Sequence, residues 1–446
     1  MPPLLFTSGL RGRLTFTLNR LREKLWARPL MLCLVSLVGV GLAQLADQLF
    51  PSAPLPDVSA DTLETLLRII TSSMLVIAVF AAGSMLSAYA SAATVATPRA
   101  FSLVVADDIS QFALSTFIGA FIFGIVALTA LINGVYGRSG RLALFVLTVT
   151  VFAVVVLSFV TWVDRIARLG RVTNTISQVE KAASRALLER GWHPTLRAKP
   201  AVVPFATHAA FSVPIRPLEV GYLQRIDLAE LQQTAESLDL EIVIETLPGA
   251  FVTPQGVLGQ TNSKILLESG TTERLARSFR IGDRRTFDDD PRFGLVALSE
   301  IASRALSPAV NDPGTAIHII GSFVRLLTEW AEVCRLRREG PDESVRFERL
   351  WMHELSMEDL FDDAFQAIGR DGAPCLEVGL RLQKGLSLIS LLPEPGIREV
   401  ARAQARLALH HAERALRLAQ DVERLRQAAG WILVPARPAD DLSTGS

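Results

Sequence analysis

The chain has few of the residue patterns that announce chemistry. Its 446 residues include only three cysteines, Cys33, Cys334 and Cys375. They are too far apart for metal or dithiol spacing, which suits a reducing compartment. The formal net charge is zero, with 45 Lys plus Arg against 45 Asp plus Glu, so the basic excess of a nucleic-acid-binding protein is missing. His318, His353, His410 and His411 form no H-E-x-x-H arrangement, and an adjacent pair on a helix points to different faces. There is no G-x-S-x-G, no Walker loop and no G-x-G-x-x-G after a strand. These absences leave no catalytic, cofactor-binding or metal residue to nominate, and the protein is expected not to be an enzyme.

Hydrophobic residues, in contrast, are abundant. They make up 50% of the chain beside 20% charged residues, and the mean hydropathy of +0.33 implies two unlike halves. Four apolar stretches fill the first 165 residues, about 30–50, 69–96, 109–133 and 142–163. Each is close to or above the ~20 residues a helix needs to cross the ~30 Å hydrocarbon layer. None has a charge in its central section, so four transmembrane helices are expected over 30–163. The first run is too long for a signal peptide and reads as an uncleaved anchor.

Flanking charges set the orientation. Arg11, Arg13, Arg20, Arg22, Lys24 and Arg28 precede the first span, and Arg165, Arg168 and Arg171 follow the fourth. The first outer loop has Asp57 and Asp61 and no cation, although Arg138 and Arg141 in the second oppose the trend. Both termini are expected in the cytoplasm. Leu14, Leu18, Leu21 and Leu25 share one helical face, so residues 1–29 read as an amphipathic helix in the inner interface.

Ser73, Ser84, Ser87, Ser91 and Thr94 fall on one face of the second span. Small residues lie beside them, and the third span has the pairs Ser115/Gly119 and Ala120/Gly124. Two readings stand: close helix packing with hydroxyls bonded to backbone, or a hydroxyl-lined path. The absence of Asp, Glu, Lys and Arg from mid-membrane disfavours proton-coupled transport and leaves an uncharged pore open.

Residues 164–197 carry a helical stripe, Ile166, Leu169, Val172, Ile176, Val179 and Leu187, expected to continue the fourth span as a juxtamembrane helix. Over 198–270 short β-branched runs alternate with Pro and Gly, which reads as a small β module. The order "GYLQRI", "LAELQQTAESLDL", "LPGAFVTPQGVL" resembles the halves of a barrel-sandwich, as in lipoyl and biotinyl carriers. The tip lysine of a carrier is missing: Arg225 and Asp227 lead into the helix, and Lys264 comes after the module. A carrier role is rejected. Residues 271–436 read as a helical domain, and 437–446 as a disordered tail. The expected fold is an α-helical membrane protein with an α+β cytoplasmic region.

"ALSPAVNDPGTA", residues 305–316, lies between two helical runs. Ser307-Pro308 and Asp312-Pro313 each pair a capping residue with proline at a first helical position, which leaves Asn311 unexplained. Upstream, Arg284, Arg285 and Arg292 surround Asp288, Asp289 and Asp290. Folded against the turn, Asp290, Glu300, Asn311 and Asp312 would offer oxygens to Mg²⁺ or Ca²⁺; a solvated loop is the plainer alternative. Arg284, Arg285, Asp290, Glu300, Ser307, Asn311, Asp312 and Thr315 make up the candidate cytoplasmic motif.

"GDRRTFDDDPRFGLVALSEIASRALSPAVNDPGTA", the four apolar stretches and "STFIGAFIFGIVAL" resemble the bacterial membrane proteins grouped as domain of unknown function 2254. That resemblance implies the bacterial inner membrane and no catalytic residues. The functional expectation is an oligomeric, channel-like permeation protein gated by its cytoplasmic domain, with the bilayer and other copies of itself as partners and no cofactor. The rival expectation is a membrane-anchored sensor or adaptor without a pore.

Overall fold

The structure is a computed structural model. It describes residues 27–49, 56, 58–95, 97–100, 103, 108–169, 171–201, 213–263, 268–340 and 345–433. Almost all of the expected interfacial segment 1–29 and the whole tail 437–446 lie outside these residues. The chain divides into two compact units, Met1–Thr175 and Ile176–Ser446.

The first unit is built from helices α1 (Ala27–Leu49), α2 (Ala60–Val95), α3 (Asp108–Ile132) and α4 (Arg138–Leu169). Three stretches, Ala60–Ser91, Ile109–Ile132 and Arg138–Ala167, are long and apolar enough to cross a membrane. Helix α3 packs against α1, α2 and α4. Its Phe123, Ala127 and Leu131 meet Val40 and Ala43 of α1, Leu63 and Leu67 of α2, and Leu144 of α4. Further along, Ala113, Phe117 and Ala120 meet Ile70, Met74 and Ala78 of α2 and Val155 and Trp162 of α4. Trp162 is 6.3 Å from Phe117 and 6.0 Å from Phe159 between ring centroids.

Many hydroxyls of this unit are satisfied within their own helix. Thr71 donates to Leu67 O at 2.7 Å, Ser115 to Gln111 O at 2.6 Å, Thr116 to Phe112 O at 2.9 Å and Thr148 to Leu144 O at 2.7 Å. A hydroxyl so bonded can face an apolar medium at little cost. The small residues of α3 act as contact points. A Cβ on Gly124 would lie 2.2 Å from Thr71 Oγ1, so glycine is what lets α2 and α3 approach there.

The second unit begins within α5 (Val172–Trp192). The single helix expected from the fourth span onward is divided, since α4 ends at Leu169 and α5 starts at Val172. Arg171 between them is not helical. Ile176, Val179 and Leu187 are buried, and α5 packs on its own chain through Ala183, which a Cβ on Gly294 would meet at 2.4 Å.

Eight short strands follow: β1 (Ala198–Pro200), β2 (Val213–Ile215), β3 (Gly221–Ile226), β4 (Ile242–Ile244), β5 (Phe251–Val252), β6 (Gly259–Thr261), β7 (Phe279–Gly282) and β8 (Phe347–Met352). They form a mixed five-stranded sheet, β1-β8-β4-β6-β2, and an antiparallel three-stranded sheet, β5-β3-β7. The expected barrel-sandwich over 198–270 is not what these strands form: β8 enters from far downstream to pair in parallel with both β1 and β4. Strand β8 lies in a stretch read as helical: only Leu350 and Met352 of "FERLWM" are buried, too brief an alternation to stand out. Helix α6 (Leu228–Ser237), capped by Asp227, contributes Leu228, Leu231 and Ala235 to the same core. The helical remainder is α7 (Ser269–Arg277), α8 (Pro291–Ala305), α9 (Pro313–Glu339), α10 (Met357–Phe361), a π-helical turn at Asp362–Gln366, α11 (Ala367–Asp371), α12 (Leu376–Ile389), α13 (Ile397–Ala415) and α14 (Ala419–Ala428).

Replacing Gly124 by Leu forces α2 and α3 apart, at a cost of about 1–3 kcal/mol. The expected outcome is a lower thermal midpoint of the detergent-solubilised chain. Gly41→Leu, where no atom lies within 4 Å, should leave the midpoint unchanged.

Candidate functional site

The two groups of candidate residues meet different fates. In the motif around residues 284–315, Asp290 is the N-cap of α8, with Pro291 at the first helical position. Its Oδ1 accepts from Phe293 N at 3.2 Å. Arg285 donates to it twice, Nε to Oδ2 at 2.6 Å and Nη2 to Oδ1 at 3.0 Å. The Asp290 side chain is only 2% exposed. Burial pushes its carboxyl above the ordinary aspartate value, against the pull of Arg285 and the amides of Phe293 and Arg292. Gly249, at φ +97°, closes the pocket: a Cβ there would lie 2.3 Å from Asp290 Oδ2. The Arg285 guanidinium lies 5.2 Å from the Phe293 ring centroid, and Phe287 stacks on the same ring at 4.5 Å. Arg292 bridges to the π-helical turn, with Nε donating to Asp363 Oδ2 at 2.6 Å and Nη1 to Asp359. Arg284 stays outside, its side chain 77% exposed.

The turn within residues 305–316 is organised around its backbone. Ser307 does not cap a second helix at Pro308. Its hydroxyl donates back to Arg304 O at 2.7 Å, and Val310 N and Asn311 N both return to Ser307 O. Asn311 has φ +49°, the left-handed conformation that asparagine tolerates better than most residues. That accounts for it: Asn311 reverses the chain so that Asp312 can start α9. Asp312 behaves as expected, accepting from Thr315 N at 3.1 Å and Thr315 Oγ1 at 2.6 Å.

The structure does not bring these residues to one ion. Asp290 stands at the start of α8 and the turn at its end, and a 15-residue helix is about 22 Å long. Glu300 is half-buried between them. Among the described residues no three His, Cys, Asp or Glu side chains gather as a metal-binding group. The motif joins elements of the fold.

A further joint lay outside the expectations. Glu180 of α5 accepts from Arg325 Nε and Nη2 at 2.8 and 2.9 Å and from Ser322 Oγ at 2.7 Å. Burial alone would raise this carboxyl, but the bonds from Arg325 and Ser322 outweigh it and hold Glu180 below the ordinary glutamate value.

The hydroxyl face of α2 is only partly continuous. Ser84, Ser87 and Ser91 line an open-sided hollow of about 600 Å³, with Phe80, Gly83, Ala88, Ile166, Ala167 and Arg171. Ser87 and Ser91 are exposed. Ser73 is half-buried outside this hollow, and the Thr94 side chain lies outside the described residues. Between Ser73 and Ser84 the same face carries Ile77 and Phe80. The hydroxyls thus belong to a pocket at one end of α2, with an apolar section beyond it. Arg171, counted in the sequence only as a topology signal, stands among its lining residues.

Three long apolar helices packed in one unit define a multi-span membrane protein. The chain belongs to the predicted membrane protein family of domain of unknown function 2254, which matches residues 22–387. It is 36% identical over 115 residues to uncharacterised proteins of Mycobacterium tuberculosis and Mycobacterium bovis, a stretch that covers 25% of this chain and 22% of each relative. No solved structure matches.

Two predictions follow from the joints. Asp290→Ala strands Arg285 and uncaps α8, so it should destabilise the protein by about 3 kcal/mol, whereas Arg284→Ala should change stability by less than about 0.5 kcal/mol. Chemical denaturation followed by circular dichroism checks both. Glu180→Gln should cost on the order of 1 kcal/mol near neutral pH, a value reduced for the exposure of Arg325. Because the folded value is lowered, this stabilisation is present above the ordinary glutamate range and lost as pH falls through the lowered value. Melting curves of variant and wild type should therefore converge in acid.

Proposed function

We propose that the protein is an oligomeric permeation protein of the bacterial inner membrane, and not an enzyme. In this reading α1 is a fourth span and both termini are cytoplasmic. The carrying observation is the hollow at Ser84, Ser87 and Ser91: hydroxyls on an open face, directly after the apolar run from Met74 to Gly83. With both termini cytoplasmic, that end of α2 would lie at the inner boundary of the bilayer, where a second copy would cover the open side and turn the hollow into a vestibule. Ile77 and Phe80 then form the apolar constriction, a kind of barrier that opens and closes by wetting. Because α4 ends at Leu169 and α5 starts at Val172, gating by the cytoplasmic unit would not act through one continuous helix.

The rival reading, an anchored sensor or adaptor, is favoured by one observation: the chain from Ile176 onward is a compact unit with its own core. Reconstitution separates the two. Wild-type protein in liposomes should pass small ions or solutes, and replacing Ser84, Ser87 and Ser91 by Leu should reduce flux at least about tenfold, while Phe80→Ala should raise it. No flux in the wild type, or a monomer in detergent, would leave the anchored reading standing.

A further inference from the structure

A second hollow, of about 380 Å³, lies wholly within the unit that starts at Ile176. The end of α5 and the turn after it supply Trp192, His193 and Arg197. The last turn of α9 supplies Arg337 and Arg338, and Glu354 follows β8. Residues 341–344, which join two of the wall positions, lie outside the described residues. The volume is within the range of small-molecule pockets.

Cations at the end of a helix have an ordinary explanation, because they offset the partial negative charge of its last carbonyls. That explanation suffices for Arg338, whose guanidinium donates to Glu394 Oε2 at 2.6 Å and to Pro393 O at 2.8 Å. It does not suffice for Arg337, whose Nε is buried without a hydrogen-bond partner. Arg197 Nη2 lies 3.0 Å from His193 Nε2, so this guanidinium is held at the wall by an imidazole and not by a carboxylate. Glu354 is the one carboxylate on the wall, and it has a counter-charge nearby. Arg190 is 4% exposed, and its Nε and Nη1 have no partner. Burial pushes the Arg190 guanidinium down to about 10, with Glu354 and Asp289 acting to hold it up, so it stays charged at neutral pH.

We propose that this hollow binds a small phosphate-bearing molecule, with Arg337 and Arg197 holding the phosphate and Trp192 offering a stacking face. The planar guanidinium fork matches phosphate oxygens, and the Trp192 side chain, 41% exposed, is available to an aromatic ring. A free phosphate ester and a lipid headgroup share this chemistry.

Isothermal titration of the full chain in a neutral detergent tests it, with pyrophosphate, adenosine monophosphate and dihexanoyl phosphatidylglycerol as probes. Saturable binding, at one site per chain, is expected. Arg337→Gln and Arg197→Gln should each weaken it by about tenfold or more, while Trp192→Ala should weaken the nucleotide and spare pyrophosphate. Arg197 is exposed, so its variant keeps the test decisive if Arg337→Gln fails to fold. Binding of the soluble esters alone upholds the site with a free ligand, and binding of the lipid alone upholds it with a headgroup. Absence of saturable binding for all three probes, or unchanged affinity in the Arg197 variant, would overturn the proposal.

Discussion

The unit that begins at Ile176 is organised around one carboxylate kept from water. Asp290 caps α8, takes both arms of Arg285 and is pressed by the backbone at Gly249. Three separate parts of the chain meet there: the loop after β4, the charged run after β7 and the helix that begins at Pro291. A charge this deep is tolerated only because its acceptor sites are filled. Once α8 is fixed at that end, its other contacts follow. Gly294 lets α5 lie close, and Arg292 reaches α10 through Asp359 and the π-helical turn through Asp363. The helix then ends in the Ser307–Asn311 reversal, and a second aspartate-proline pair starts α9. Two neighbouring helices thus begin with the same device, one buried and one exposed.

The membrane unit obeys a different constraint. Lipid gives helices no hydrophobic reason to associate, so close fit and internal hydrogen bonding decide the arrangement. Helix α3 meets both demands, with Gly124 against Thr71 on one side and aromatic packing around Trp162 on another. Ser115, Thr116 and Thr148 return to the carbonyl four residues back and are thereby neutral in packing. Beside Ser84, Ser87 and Ser91 of α2 space remains.

Much of this organisation was legible in the chain itself. Long uncharged runs revealed α2, α3 and α4, because length against bilayer thickness is a nearly one-dimensional criterion. The Asp312-Pro313 cap was legible for a similar reason, being local. The Asp290-Pro291 cap uses the same two letters but was masked by the acidic residues before it, which read as a solvated loop. Arg292 with Asp363, and Glu180 with Arg325, are 71 and 145 residues apart, and no periodicity reports such pairings. Asn311 could be recognised as unexplained by capping, while its role needed a backbone angle. The hydroxyl face was visible as spacing, but its interruption by Phe80 mattered only once the hollow had a shape.

Strand β8 has a consequence for how the molecule is made. It lies between β1 and β4, yet β4 ends at Ile244 and β8 does not begin until Phe347. A ribosome has therefore released the apolar N-terminal helices long before it supplies the middle of this sheet. Until then β4 has β6 on one flank and an open hydrogen-bonding edge on the other, the kind of edge that invites foreign strands. The growing chain is tethered at the bilayer during that interval, and the late arrival of six residues sets the moment at which its second half can close.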